Sequence, residues 1–250
     1  MGNKQAKAAI DNLQIAPCTI HGSNGTNVLN DAFFTATDLA IKGYAKSTAG
    51  RGYEYISRAD GGVVFHANSL GKGKKAVCYD RSNHEVAFLK VKGAFDEEEQ
   101  RIYRDTPAYP DQAPADLGDD EEVEGKKLYH FATINVTREM RKAEAMYSVV
   151  TGNYDDGEPQ YLQLYKAEKL PAQKFYVQIF MVQEQKVGGV PVGHSSVPVA
   201  KMFDGGMTLK GPKMDFEMTE GCDLAAIVLV GQACSLTGNT AGAMSGTGVY

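Results

Sequence analysis

The segment Leu224-Ala-Ala-Ile-Val-Leu-Val-Gly-Gln-Ala-Cys-Ser-Leu236 decides the fold of this 250-residue chain. As a helix it would be apolar on every side, and no charged residue occurs from Leu224 to the last residue, Tyr250. A helix that is apolar all round must be buried all round. At about 20 Å it is too short for a comfortable bilayer crossing, which takes about 20 residues. The segment therefore predicts a buried core helix over about 223–236, with core residues Leu224, Ile227, Val228 and Leu229.

Short alternating runs typical of β-strands precede this helix. Met214, Phe216 and Met218 alternate with polar neighbours, as in a half-buried strand. Asp60-Gly61 lies between two β-rich runs and is a hairpin signal. About ten to twelve such runs, beginning near Phe33, favour an all-β barrel or sandwich. The fold prediction is therefore mainly β: a closed antiparallel β-barrel of about 12 strands around the buried C-terminal helix.

Charge is distributed unevenly along the chain. The net charge is −5, but residues 96–124 hold 12 acidic and 2 basic side chains, which leaves +5 for the rest. The acidic stretch contains few apolar residues, so a solvated loop insert is predicted over about 94–125. It interrupts a single domain over 31–236. A polar N-terminal arm (1–30) and a Gly-rich C-terminal tail (237–250) are both predicted to be flexible.

Several function classes are disfavoured by composition and by missing motifs. A net charge of −5 is unsuited to nucleic-acid binding, which needs clustered basic residues. The sequence has no H-E-x-x-H, nucleophile-elbow or catalytic-cysteine motif, which predicts a non-enzymatic protein without cofactor or metal. The N-terminus lacks the apolar core of a signal peptide, so the predicted location is cytoplasmic. No C-x-x-C spacing occurs, which predicts reduced, buried thiols at Cys18, Cys78, Cys222 and Cys234.

Three stretches carry a resemblance to a known family. They are a strand-turn-strand unit over 53–65, a second hairpin from Lys75-Ala-Val-Cys-Tyr-Asp to Val86-Ala-Phe-Leu-Lys-Val, and the closing strand and helix over 214–230. Together they resemble the LURP-one-related family, whose fold is that of the tubby C-terminal domain and the phospholipid scramblases. The acidic insert and the Gly-rich tail depart from the family pattern. The resemblance implies a tubby-like barrel, association with membranes and phosphoinositide binding, and it carries over no catalytic residues.

The N-terminus offers a lipidation hypothesis. Met1-Gly2-Asn3-Lys4-Gln5-Ala6-Lys7 resembles an N-myristoylation site, with Gly2 as the acceptor. Ala6 stands where Ser or Thr is preferred, and an ordinary unmodified N-terminus is the alternative. A single myristoyl chain binds membranes only weakly, so a second membrane-binding element would be needed.

That second element is predicted at Lys72, Lys74 and Lys75, which are interleaved with Gly71 and Gly73. Glycines let the backbone approach a phosphate while lysines supply charge, so the three lysines are candidates for binding a lipid headgroup. The alternative is a solvated turn between two strands. The spacing lacks the elements of a nucleotide P-loop.

The leading functional hypothesis is therefore a non-enzymatic, cytoplasmic protein, peripheral at a membrane, that binds or tethers anionic lipid such as phosphoinositide. One alternative is a soluble scaffold that binds other proteins through the barrel and the acidic loop. A second alternative is lipid transport of the scramblase kind.

Overall fold

The computed structural model describes residues 8, 15–16, 41–48, 52–57, 63–70, 75–80, 82–94, 97–118, 123, 125–139, 142–153, 157–169, 176–187, 190–208, 211–219 and 221–235. These ranges contain twelve strands followed by a C-terminal helix. The strands are β1 (Ile41–Thr48), β2 (Gly52–Ser57), β3 (Val63–Leu70), β4 (Lys75–Asp80), β5 (Glu85–Ala94), β6 (Glu97–Arg104), β7 (Tyr129–Glu139), β8 (Lys142–Asn153), β9 (Pro159–Lys169), β10 (Val177–Val187), β11 (Val190–Thr208) and β12 (Gly211–Met218). The helix is α1 (Leu224–Ser235).

The strands form one antiparallel arrangement that follows chain order. Each strand pairs with the one before it and the one after it, and β1 pairs with β12 as well as with β2. Apart from β6 and β7, consecutive strands are separated by only two to seven residues. Such short connections suit antiparallel pairing, since parallel strands need long crossover connections. The predicted mainly β fold with a C-terminal helix is confirmed.

Helix α1 begins at a side-chain cap. The backbone N–H of Ala226 donates to Asp223 Oδ1 at 3.1 Å, which satisfies one of the unpaired donors of the first turn. The N–H of Asp223 itself donates to the Tyr165 hydroxyl at 3.2 Å, so the cap is tied to β9. The helix therefore starts within one residue of the predicted boundary.

The other end of α1 is held by β7. Arg138 donates from Nη2 to the carbonyl oxygen of Ala233 at 3.0 Å, and its Nη1 lies 3.6 Å from Oε2 of the buried Glu98. A cation suits the C-terminal end of a helix, where unpaired carbonyls concentrate partial negative charge.

The helix is enclosed by strands along its length. Ile227, Val228 and Leu229 are completely buried and Leu224 is 4% exposed, as expected from the sequence. The helix contacts β7 to β11, so its apolar surface is covered by protein. Among the described residues, no helix combines the length and the apolar character needed to cross a membrane.

The cysteine prediction is confirmed for three of the four residues. Cys78, Cys222 and Cys234 are free and completely buried. Burial raises the pKa of the Cys234 thiol to about 12, so this thiol stays protonated and unreactive. Cys18 lies outside the described residues.

The prediction of a solvated loop is wrong for the N-terminal part of the acidic segment. Residues 97–104, expected to belong to a solvated loop, form strand β6 between β5 and β7. Glutamates are poor strand formers, but pairing on both sides outweighs that preference. Glu98 and Gln100 are buried on this strand, where Gln100 Nε2 donates to Glu98 Oε1 at 2.6 Å.

Candidate functional site

The lysines proposed for headgroup binding divide between described and undescribed residues. Lys75 is the first residue of β4 and is partly buried. Lys72 and Lys74 lie outside the described residues, as does the lipidation candidate Gly2. Of these candidates, only Lys75 can therefore be related to its surroundings.

Strand register places Lys75 in a row of cations. Lys75 of β4 is opposite Lys90 of β5, and Lys90 is opposite Arg101 of β6. Neighbouring strands lie about 4.8 Å apart, and residues directly opposite each other point to the same face. We call Lys75, Lys90 and Arg101 the basic row. Like charges in such positions are destabilising, so the row needs anionic or hydrogen-bonding partners.

Some of those partners come from the protein itself. Arg101 is paired with Glu99 through Nε, and Lys90 Nζ donates to the carbonyl oxygen of Leu117 at 3.2 Å. Burial alone would lower the pKa of Arg101, but its hydrogen bond and charge interaction with Glu99 raise it overall. Lys92, exposed on β5, is opposite Glu99 and adds one more cation beside the row. This face of β4 to β6 thus carries three lysines and Arg101 together with Glu97 and Glu99.

The positive charge of the basic row affects a neighbouring histidine, His130. His130 is partly buried on β7, and its Nε2 lies 2.9 Å from the Thr133 hydroxyl. Burial and the positive charge of Arg101 lower the pKa of His130 to about 4. The ring is therefore neutral at physiological pH and serves as a hydrogen-bonding and packing group.

A row of rings runs alongside the basic row. Centroid distances are 6.3 Å from Phe88 to Tyr103, 5.6 Å from Tyr103 to His130 and 6.0 Å from His130 to Tyr161. We call these four residues the aromatic row. Phe88 and Tyr103 are buried, whereas Tyr161 is 45% exposed. One end of the row is therefore covered and the other is open to solvent.

The acidic segment covers the buried end of the aromatic row. Val123 and Leu128 form a second hydrophobic core with Val77, Phe88 and Tyr103, and both are at most 6% exposed. This core is separate from the main core around α1. The prediction of a solvated loop is therefore wrong for Val123 also, because its apolar side chain packs on strands β4 to β6.

Hydrogen bonds anchor the same segment to β7. The Gln112 side chain donates to the His130 carbonyl oxygen at 2.8 Å and accepts from the Ala108 N–H at 2.6 Å. The N–H of Ala115 donates to the Leu128 carbonyl oxygen at 2.8 Å, which closes the segment back onto the start of β7. The acidic segment between β6 and β7 is thus held by both apolar and polar contacts in its described parts.

A cavity of about 350 Å³ lies where β5, β6 and the approach to β7 diverge. The register between β5 and β6 starts at Phe88 opposite Tyr103, so the residues before Phe88 separate from β6. Arg104 lines the cavity with its guanidinium 4.0 Å from the centre of the Phe131 ring. Its Nε and Nη2 donate to the carbonyl oxygens of Thr106 and Pro107, at 2.9 Å and 3.2 Å. These contacts give Arg104 a structural role at the start of the acidic segment.

Metal ligation finds no support in the described part of the chain. No group of three or more His, Cys, Asp or Glu side chains there is arranged to hold a metal ion.

Sequence reasoning missed Lys90 and Arg101 as members of a site. The alternation of Leu89 and Val91 with Lys90 and Lys92 was a usable signal, because it puts both lysines on one face of β5. Nothing in the sequence signals that Arg101 lies beside them, since the acidic composition around it predicts a solvated loop and not a strand.

No protein-family model and no curated protein matches this chain. Among solved structures, an X-ray structure of a protein from Arabidopsis thaliana is similar, with 14% sequence identity and a TM-score of 0.45. The similarity covers 82% of this chain and 94% of that chain. At this level the similarity does not identify a family.

Proposed function

We propose that this protein is a non-enzymatic, tubby-like membrane-associated protein that binds anionic lipid, such as a phosphoinositide, through the basic row. The carrying observation is the register that aligns Lys75, Lys90 and Arg101 on three adjacent strands. Cations held so close together favour a ligand of concentrated negative charge, because such a ligand relieves their mutual repulsion. A phosphorylated headgroup has that property.

The tubby-like part of the proposal is a closed barrel of twelve strands around α1. It is supported by the pairing of β1 with both β2 and β12 and by the burial of α1 among the strands. In such a barrel the basic row occupies the outer wall, since its neighbours Ala76, Leu89 and Ile102 belong to the main core on the other face. A rigid wall keeps the cations aligned before a ligand arrives, which reduces the entropy lost on binding.

Acylation of Gly2 would complement the basic row. A single myristoyl chain is a marginal anchor, and a second element that attracts anionic lipid makes attachment stable. Each basic residue near an anionic surface contributes about 1 kcal/mol. The basic row and the N-terminal chain would then act together on one cytoplasmic membrane surface.

Vesicle co-sedimentation tests the proposal. The protein is mixed with phosphatidylcholine vesicles that contain phosphatidylserine or a phosphoinositide, and with phosphatidylcholine alone. At about 1 kcal/mol per lysine, replacing both Lys75 and Lys90 by Ala is expected to weaken binding to anionic vesicles about 30-fold. Lys142→Ala, which removes an exposed lysine from β8, is the matched control and is expected to change binding much less.

Two results would count against lipid binding. One is wild-type protein that sediments no better with anionic than with neutral vesicles. The other is a loss of about fivefold in the Lys142→Ala control, which is the same loss per lysine as in the double variant and would indicate general charge attraction without a site at the basic row. Thermal unfolding by circular dichroism establishes that each variant is folded before it is compared.

Protein binding through the acidic segment is a second candidate, favoured by a different observation. The segment turns Val123 and Leu128 inward while Asp105, Asp111 and Asp116 remain exposed. An outward acidic surface on an ordered support suits a basic partner. Replacing Asp111 and Asp116 by Asn would weaken capture of a basic protein in a pull-down at low salt, and unchanged capture would remove this candidate.

A further inference from the structure

Two large hydrophobic side chains stay in contact with solvent in the part of the chain whose side chains are described. They are Tyr161, at 45% exposure, and Leu162, at 41%. Both lie near the start of β9, next to the turn from β8. Isolated exposed apolar residues are common on protein surfaces. Exposure alone therefore does not indicate a role, and the position of each residue relative to the basic row has to be considered.

Tyr161 lies on the same side of the sheet as the basic row. Its ring meets the ring of His130 nearly edge-on, at 69° and 6.0 Å between centroids, and forms the open end of the aromatic row. After burial and Glu99, the Tyr161 hydroxyl is also among the groups that influence the pKa of Arg101. Arg101 is two residues before Tyr103 on β6, and Tyr103 is opposite His130, so the exposed Tyr161 ring and the Arg101 cation lie on one surface.

Leu162 points the other way. It is opposite Val149 in the register between β8 and β9, and Val149 is completely buried in the main core. Successive residues of a strand point to opposite faces, so Tyr161 and Leu162 lie on opposite sides of β9. The two residues are adjacent in sequence and similar in exposure, but only Tyr161 shares a surface with the basic row.

We propose that Tyr161 is an interfacial anchor, whose ring enters the headgroup region of an anionic bilayer when the basic row meets that bilayer. The proposal rests on the lipid binding proposed above. Tyrosine suits this position because its ring is apolar and its hydroxyl remains hydrated. Attraction between lysines and anionic lipid adds to the burial of apolar surface in such contacts. The partner is thus a membrane surface, with Arg101 at the phosphates and Tyr161 beside it.

The absence of tryptophan from the chain makes a direct test possible. Tyr161→Trp introduces the only indole, and Leu162→Trp provides the matched control on the opposite face. Vesicles of phosphatidylcholine and phosphatidylserine are added to each variant, with and without lipids that carry a bromine or doxyl quencher. The Tyr161→Trp protein is expected to shift its emission to the blue and to be quenched, whereas the Leu162→Trp protein is expected to change little.

Affinity supplies an independent readout in the same vesicles. Tyr161→Ser is expected to weaken binding about fivefold through lost apolar burial, while Tyr161→Phe and Leu162→Ser keep wild-type binding. Failure of the two proposals can be told apart. If neither the wild-type protein nor any variant binds anionic vesicles, the proposed lipid binding is wrong. If the protein binds but the emission at position 161 stays unchanged, only the anchor is wrong, and equal changes at positions 161 and 162 overturn it as well.

Discussion

Gly231 in the middle of α1 allows a sharp test of how closely the helix is packed. A Cβ at this position would lie 2.9 Å from Ile179 Cδ1 and closer still to Met202 Sδ. Both neighbours are completely buried, so neither side chain can swing out to solvent. Gly231→Ala therefore inserts a methyl group into a space that is already filled.

Two effects of opposite sign decide the magnitude. Alanine is favoured over glycine in a helix interior by about 1 kcal/mol. Insertion of an extra carbon into a packed core costs about 1–3 kcal/mol. The contacts with Met202 and Ile179 are close enough for the packing cost to prevail, and we expect a net destabilisation of about 1–2 kcal/mol. For a chain of this size that corresponds to a fall in Tm of about 3–6 °C.

A second substitution should reduce the cost. Met202→Val removes the sulfur that obstructs the new methyl group, at its own cost in stability. In that background Gly231→Ala is expected to be less destabilising by about 1 kcal/mol, because only the contact with Ile179 Cδ1 then opposes the helix preference of alanine. The four proteins of this double-mutant cycle are compared by urea unfolding, followed by far-ultraviolet circular dichroism.

The cycle has an outcome that refutes the reasoning. If Gly231→Ala is neutral or stabilising in the wild-type background, α1 is not pressed against β10 and β11 at this residue. The same conclusion follows if its effect is equal with Met202 and with Val at position 202, since close neighbours should show a coupling energy. Equal m-values among the four proteins are needed for the comparison.

Three further predictions use the same unfolding assay. The pKa of His130, about 4 in the folded protein, is below the value of about 6.5 for an unfolded histidine, so the unfolded state binds its proton first as the pH falls. Wild-type stability should therefore decrease from about pH 6.5 to about pH 4, and His130→Gln should flatten that decrease. An unchanged decrease in this variant would contradict its assignment to His130. Leu128→Ala should lower the free energy of unfolding by about 2–4 kcal/mol by opening the second core, and no change would show that the acidic segment does not pack there. Arg138→Met should lower the free energy of unfolding by about 3 kcal/mol, because it removes the cation beside the buried carboxylate of Glu98. Adding Glu98→Gln should recover part of that stability, and a further loss would contradict this explanation.

The candidate site shows how far local sequence signals extend. A local cluster of basic and glycine residues indicates Lys75 as a candidate. Its partners Lys90 and Arg101 are 15 and 26 positions away in the printed sequence, and only strand pairing brings them opposite one another. Composition gives the residues of one segment, whereas strand register determines which residues of other strands lie opposite them.

Strand β6 shows why composition can mislead. Glu97, Glu98 and Glu99 are typical of a solvated loop when they are considered alone. In the structure their strand is paired with β5 and β7, and the buried Glu98 lies beside Arg138 and Gln100. A buried carboxylate is tolerated only with such partners, and Arg138 is distant from it in the sequence.

The sequence by itself determined the class of the fold and the nature of its centre. Alternating polar and apolar residues indicate half-buried strands wherever they occur. An uncharged apolar helix that is too short to cross a bilayer is stable only inside protein. Both signals are local, because each depends only on which side chains of one segment avoid water. Only the tertiary structure decided that the acidic segment covers one end of the aromatic row and that Lys75, Lys90 and Arg101 stand together. Those features depend on the register between strands, and register is set by contacts between residues far apart in the chain.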